Sequence, residues 1–362
     1  MKLKTVFSFL LFVVWGTSMA QVRFNFTQVT PNLKVSQYKV SKILDARPEK
    51  TASIGEIYQN NKIKFPVYFE LGIEKQLLTY FGKYTKNSNI SKDISIEITA
   101  LSITETLTSN QTVSGKIQYN LTAYTNESNG LKKLCTNRNS AQYTRTLDHA
   151  NYSKIQNQMQ QALDGGLNFI ESYIQKNKSK LEAFALDSRV VIKPFLVHAS
   201  PDTVFYQQRK VTWDDFRGNY RGHSGYGAAI YTSFGFQSRI FTENQVILAE
   251  ISPYVFTDKN VSWAKPEIKN TYALKHEQTH FDICYLMTIE FLKKIKSLKE
   301  PTADDLISRI QFEYLEFYRK THDLQEQYDR ETNHSLIKNE QLRWEQKINE
   351  SLKVVNLNQI LN

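Results

Sequence analysis

Two histidines four residues apart, His276 and His280, with Glu277 directly after the first, have a shared chemistry only on an α-helix. Positions i and i+4 of a helix lie on one face, so each imidazole can turn one nitrogen toward the same ion. Glu277 stands about 100° round the helix from His276. From there its carboxylate can take a proton from water that zinc has made acidic, and later pass it to a leaving amine. Tyr272, Ala273 and Leu274 before the motif, and Phe281, Ile283 and Leu286 after it, predict a helix buried on its apolar sides. Chance is a poor explanation, since this composition generates the pattern on the order of once in a hundred such chains.

Zinc needs a third protein ligand. A metzincin-type pattern requires Gly at 283 and His at 286, and Ile283 and Leu286 exclude it. Further along, Glu290, Glu313, Glu316, His322, Asp329, Glu331 and His334 all carry suitable donors. His322 lies in the polar run RKTHDLQEQ and reads as an exposed histidine. The run YDRETNHS gathers Asp329, Glu331 and His334 within six residues.

The 362 residues suggest two domains, and 41% hydrophobic content is enough for buried cores. The opening MKLKTVFSFLLFVVWGTSMAQ reads as a secretory signal over residues 1–20. Lys2 and Lys4 precede an apolar run from Val6 to Trp15, and Ser18-Met19-Ala20 forms a small-residue cleavage site before Gln21. The run is shorter than the roughly 20 apolar residues of a membrane helix, and no later segment reaches that length. The expectation is an exported protein, periplasmic or extracellular, with no integral membrane segment. Its formal charge of +10 becomes 10 − 2 = +8 without Lys2 and Lys4. The lysines are interspersed with carboxylates and form no stripe with stacking aromatics, which argues against a nucleic-acid partner. Cys135 and Cys284 read as buried small hydrophobes rather than a disulfide.

Residues 21–185 read as a small α/β domain with antiparallel strands. QYKVSKILDARPEK predicts a strand ending in a turn at Asp45–Pro48, and FPVYFELGIEKQLLTYFGKYT an amphipathic helix. Ile94, Ile96 and Ile98 alternate with polar residues, as do Ile117, Tyr119, Leu121 and Ala123, so two half-buried antiparallel strands should pair. A helix then runs from Tyr152 to Asn177. The motif ILDARP, Ile54-Gly55 and the helix-then-strands order resemble the small α/β domain of periplasmic auxiliary lipoproteins associated with transport systems. That resemblance implies a non-catalytic accessory role and an envelope partner. His149, the single histidine in this half, reads as exposed or satisfied.

Residues 186–362 predict a small sheet followed by helices, giving an α+β chain. Val190–Ile192 and Thr203–Tyr206 are strand-like, as are AAIYTSFGFQSR and QVILAEISPYVF, and a long charged helical pattern runs from Thr302 to about Leu352. The strand over 246–255, placed at a sheet edge, could align an extended peptide beside the motif helix. The loop GNYRGHSGYGAA lacks a phosphate-binding pattern and reads as a turn. His198 and His223 lie in loops, and His223, beside glycines, could approach a substrate.

Three blocks, VTWDDFRG (211–218), LKHEQTHFDI (274–283) and YDRETNHS followed by Gln341 and Trp344, resemble a bacterial domain family of unknown function regarded as secreted zinc-dependent proteases. The resemblance spans about residues 187–352. It implies a zincin-like domain holding Zn2+ on His276 and His280, with Glu277 as the catalytic glutamate. The family's third block, Tyr-Asp-x-x-Thr-x-His-Gly, falls on Tyr328, Asp329, Thr332 and His334, which makes His334 the expected third ligand. Asp329 is the alternative ligand, or a carboxylate orienting a ligand histidine. Ser335 replaces the family's glycine. Trp213 and Phe216 read as core anchors, and Asp214 and Asp215 as capping or turn residues. An oxyanion donor is also required, and Tyr272 and Tyr328 both lie beside the expected ligands. The resulting expectation is a secreted zinc metallopeptidase acting on a protein or peptide substrate. Two alternatives share the motif: a non-catalytic envelope protein with a structural zinc site, and a zinc hydrolase acting on a cell-wall amide.

Overall fold

The computed structural model describes residues 21–26, 38–50, 53–60, 62–84, 92–127, 130–147, 152–220 and 225–361. The expected signal segment, His149 and His223 lie outside these residues. The chain is α+β, and it divides into two compact units, 1–176 and 177–362. No helix among the described residues is long and apolar enough to cross a membrane.

The first unit is built on a seven-stranded sheet of β1 (Val22–Phe24), β2 (Lys39–Asp45), β3 (Ser53–Tyr58), β4 (Lys64–Phe69), β5 (Asp93–Leu107), β6 (Thr112–Glu127) and β7 (Gly130–Thr146). The order is β1-β4-β3-β5-β6-β7, with β2 also pairing β5. Two helices complete it, α1 (Ile73–Phe81) and α2 (Ser153–Asn177). As the alternation predicts, β5 and β6 pair antiparallel, Ile96 opposite Ala123 and Ile98 opposite Leu121. A bulge between Ile98 and Ala100 then inverts the phase of β5, so that Leu101 and Ile103 become the buried residues.

FPVYFELGIEKQLLTYFGKYT is not one helix. Its first residues belong to β4, where Val67 and Phe69 are buried with a period of two and pair in parallel with Val22 and Phe24. Gly72, at φ 76, separates that strand from α1. Gly55 reaches φ 133 and lies so close to β5 that a Cβ would sit 2.0 Å from the Ile103 carbonyl oxygen, so β3 can pair there only through glycine.

The second unit has a four-stranded sheet of β8 (Asp187–Ile192), β9 (Thr203–Phe205), β11 (Thr232–Glu243) and β12 (Val246–Asp258). A two-stranded ribbon joins β10 (Ala228–Ala229) to β13 (Trp263–Ala264). Helices α3 (Thr271–Lys296), α4 (Ala303–Thr332), α5 (Lys338–Lys353) and α6 (Leu357–Leu361) follow. The single helical pattern expected from Thr302 to Leu352 is thus two helices broken at 333–337. Strand β12 is not an edge: β11 bonds one side of it, and β8 and β9 bond the other. With β11 paired along its length, β8 along 246–251 and β9 along 256–258, β12 offers no free edge over 246–251, and the expected alignment of a peptide along 246–255 does not hold. Ile247, Ala249, Ile251 and Val255 point from β12 into one core with Phe281, Cys284, Ile289 and Phe291 of α3. That packing fixes the motif helix against the sheet. Cys284 and, in the first unit, Cys135 are buried free thiols.

Candidate functional site

The motif helix starts where its sequence says it should. Asn270 has extended backbone, and its side-chain oxygen accepts the Ala273 N–H at 2.9 Å, satisfying one of the amides that a helix start leaves open. Trp213 of the first family-like block donates its indole N–H to the Asn270 carbonyl at 3.2 Å. Trp213 packs on Phe216 at 4.9 Å between ring centres, and Phe216 is buried in the α3 core, so both aromatics anchor the helix start. Asp215 closes a capping box with Thr212. Gln278, one residue beyond Glu277, accepts the Val211 N–H at 3.0 Å and donates to Asp282 at 2.8 Å, which ties the same loop to α3 from the other end.

The opposite wall comes from the end of α4. Tyr328, Ile283, Trp344 and Ile348 form a buried cluster joining α3, α4 and α5. The Tyr328 ring lies 4.6 Å from His276, stacked, and 5.0 Å from His280. It is wholly buried behind the histidines and is absent from the cavity lining, so it serves as a packing wall. After Thr332 the chain turns through three consecutive left-handed residues, Asn333, His334 and Ser335, at φ 47, 50 and 70. The His334 N–H returns to the Asp329 carbonyl at 2.9 Å and the Ile337 N–H to the Thr332 carbonyl at 2.8 Å, closing the helix end.

Three donors converge. His276 Nε2 and His280 Nε2 lie 3.0 and 2.9 Å from one atom, Asp329 Oδ1. His334 Nδ1 stands 3.5 Å from the same oxygen, half exposed, with its ring 4.0 Å from that of Tyr226. The grouping that could hold a metal ion is His276, His280 and Asp329; His334 sits at its rim. Burial raises a carboxyl pKa, yet the two imidazoles outweigh it and hold Asp329 well below the usual carboxylate range. Burial lowers the pKa of His276. His276 Nδ1 is buried with no hydrogen-bond partner among the described residues, while its Nε2 faces the shared oxygen. Two buried imidazole nitrogens and a partly exposed carboxylate oxygen, aimed at one point, match the donor set of a catalytic zinc site.

Glu277 forms the adjacent wall. It is 5% exposed, and burial pushes its pKa up to about 7, with Asp329 adding to the rise and His280 opposing it. Its Oε2 accepts the backbone N–H of Ile230 at 3.0 Å. The histidines, Glu277 and Asp329 all line a cavity of about 510 Å³, together with Tyr226, Ala228, Ala229, Ile268, Gln325 and Leu336. Tyr272 also lines it, but its hydroxyl is engaged, donating to the Ser335 carbonyl at 2.8 Å.

Of the other residues singled out in the sequence, His322 lines the cavity mouth, largely exposed and 3.1 Å from Glu326. Glu331 faces away, accepting from Trp344 and Arg343. Glu313 pairs with Arg309, Glu290 with Lys293 and Glu316 with Arg319. His198 is exposed against Phe205, away from the cavity. Sequence reasoning missed the Ile230 amide, which has no side-chain signature, and Gln325, which donates to Thr232 at 3.1 Å.

No family model and no curated protein matches the chain. Two solved structures are similar to part of it. One is a Xanthomonas campestris protein of the DUF330 family, 12% identical, covering 43% of this chain and 95% of its own, with a TM-score of 0.23. The other is an uncharacterized protein, 11% identical, covering 42% and 98%, also with a TM-score of 0.23. Neither bears on the chemistry of the site.

Proposed function

We propose that residues 177–362 form a zincin-like metallopeptidase unit and that the exported protein hydrolyses peptide bonds. The observation that carries this reading is the meeting of His276 Nε2, His280 Nε2 and Asp329 Oδ1 beside a buried Glu277 whose pKa is raised to about 7. The likeness of the three sequence blocks to a bacterial domain family of unknown function, regarded as secreted zinc-dependent proteases, is consistent with it. His276, His280 and Asp329 would hold the zinc, and His334, the ligand expected from the block pattern, is a rim residue close enough to contribute. When bound, zinc supplies a Lewis acid that polarises a carbonyl and makes water ionise near neutral pH.

The chain's own groups do the rest. With its pKa raised to about 7, Glu277 can, near neutral pH, both take a proton from the attacking water and return it to the leaving amine. The Ile230 amide occupies one carboxylate oxygen, and the other has no protein partner among the described residues. Buried Tyr328 and the α3 core hold the imidazoles in place, which limits the reorganisation needed during reaction.

The test is elemental analysis of the mature protein together with hydrolysis of a fluorescent casein by wild type and Glu277→Gln. The expected result is about one zinc per chain in both proteins and turnover only in wild type. Failure to take up zinc on titration, or equal activity in the two proteins, defeats the reading. Zinc retained in both with no turnover on any peptide pool supports instead a structural metal site in an envelope protein.

A further inference from the structure

The Glu277 carboxylate is held by a backbone amide, and that amide lies at a break in the sheet. Residues 228–229 pair with 263–264 and residues 232–243 pair with β12, but Ile230 and Tyr231 between them belong to neither ladder. The Ile230 N–H is therefore available to turn toward Glu277, 3.0 Å away. A break of this kind takes the next amide, that of Tyr231, out of the strand ladder, and it finds a side-chain partner instead.

Two buried hydroxyls provide what the ladder does not. Ser262 and Thr257 are each 1% exposed. Ser262 Oγ accepts the Tyr231 N–H at 2.9 Å and donates its own proton to the Asp258 carbonyl at 2.6 Å. Thr257 Oγ1 donates to the Tyr231 carbonyl at 2.8 Å, beside the Asp258 N–H that reaches the same oxygen at 3.1 Å. Each hydroxyl has one proton, and each proton is committed, so the two oxygens 3.2 Å apart are neighbours with fixed, different duties. Together they clamp Tyr231 at both its N–H and its C=O. Neither residue lines the cavity.

We propose that Ser262 and Thr257 are positioning residues for Glu277. They hold the break at Ile230–Tyr231 in the one conformation that aims the Ile230 amide at Oε2, and so fix which carboxylate oxygen is left for the proton transfer. This rests on the metallopeptidase reading for its kinetic consequence, while the structural coupling stands without it.

The experiment uses full-length mature protein, zinc-loaded, labelled with 15N-isoleucine. In wild type, at a pH well above 7 where the Glu277 carboxylate is charged, Glu277→Gln replaces a charged acceptor by a neutral one and shifts the Ile230 amide resonance; in a Ser262→Ala background the same change leaves it nearly unmoved. On casein peptides, Ser262→Ala and Thr257→Val lower kcat on the order of ten- to a hundred-fold with KM and bound zinc unchanged, because the acting group is misplaced while the ligands are not. Thr257→Ser, which keeps the hydroxyl, restores kcat. An equal Ile230 shift in both backgrounds overturns the proposal whether or not the protein turns over substrate. So does wild-type kcat in Ser262→Ala when Glu277→Gln is inactive. Coupled Ile230 shifts in a protein without turnover support the positioning and defeat the metallopeptidase reading alone.

Discussion

Tyr272, in the first turn of α3, donates its hydroxyl to the carbonyl of Ser335 at 2.8 Å, tying the start of the motif helix to the turn that presents His334. Ser335 holds φ 70, a left-handed conformation that disfavours a side chain. Glycine adopts that angle without a side-chain clash. Ser335→Gly should stabilise the protein: relief of about 1–2 kcal/mol of local strain exceeds the added chain entropy of glycine, about 0.5–1 kcal/mol. Tyr272→Phe should cost about 1 kcal/mol. Thermal midpoints measured at one zinc concentration check both, and a lower midpoint for Ser335→Gly contradicts the strain argument.

The third ligand is decided by removing each candidate. Asp329 Oδ1 is within 3.0 Å of both histidine nitrogens, whereas His334 reaches only the carboxylate, at 3.5 Å. Asp329→Ala should abolish stoichiometric zinc. His334→Ala should retain zinc with affinity weakened about 10–100-fold, the usual effect of losing a group that supports a ligand. Competition with a chromogenic chelator measures both. Zinc lost in His334→Ala and kept in Asp329→Ala would reverse the assignment.

Asp215 makes stability depend on acid pH. Burial alone would raise its pKa, but Arg209 at 2.6 and 2.7 Å, the Thr212 N–H at 2.9 Å and the Thr212 hydroxyl outweigh burial and hold it at about 2. The folded value lies below the unfolded one of about 3.9, so the contribution is complete above pH 4 and is lost as pH falls toward 2. Arg209 is partly exposed, which reduces the effect to about 1–2 kcal/mol. The stability difference between wild type and Asp215→Asn, followed by urea melts, should therefore be constant from pH 7 to 5 and shrink below pH 4. A difference that stays constant down to pH 2.5 would place the role of Asp215 outside its charge.

What could be read from the sequence depended on whether a local pattern survives folding. His276, Glu277 and His280 were legible because helical spacing alone brings them to one site, and Asn270 before them is an ordinary cap. Ile94, Ile96 and Ile98 announced β5, but the bulge at Ile98/Ala100 inverts the alternation and has no clear signature. Strand β7 was invisible, since its residues are polar and mostly exposed along its length. Residues 64–69 passed for helix because Phe65, Tyr68 and Phe69 recur at i, i+3 and i+4, while the alternation that buries Val67 and Phe69 is too short to stand out. Asp329 became central only through the packing of α4 on α3, and the Ile230 amide could belong to any residue type. Contacts made by the backbone, or set by packing between helices, leave no mark in residue identity.

The first unit offers a test of buried charge. Arg145 and Glu105 pair through both carboxylate oxygens at 2.8 Å, with side chains 5% and 0% exposed. Tyr143 donates to the same carboxylate at 2.8 Å, as does the Tyr58 N–H. Every acceptor site is used, so deleting the carboxylate strands a buried guanidinium. Glu105→Ala should cost about 3–5 kcal/mol, while Glu105→Leu with Arg145→Leu, which buries no unpaired charge, should cost less than the single change. The tryptophans beyond Trp15 are Trp213, Trp263 and Trp344, all in the second unit, so tryptophan emission follows that unit and far-ultraviolet circular dichroism follows both. The expected result is a loss in the dichroism transition that is larger for Glu105→Ala than for the double variant. A double variant that is less stable than Glu105→Ala would show that the pair contributes net attraction beyond the cost of its desolvation.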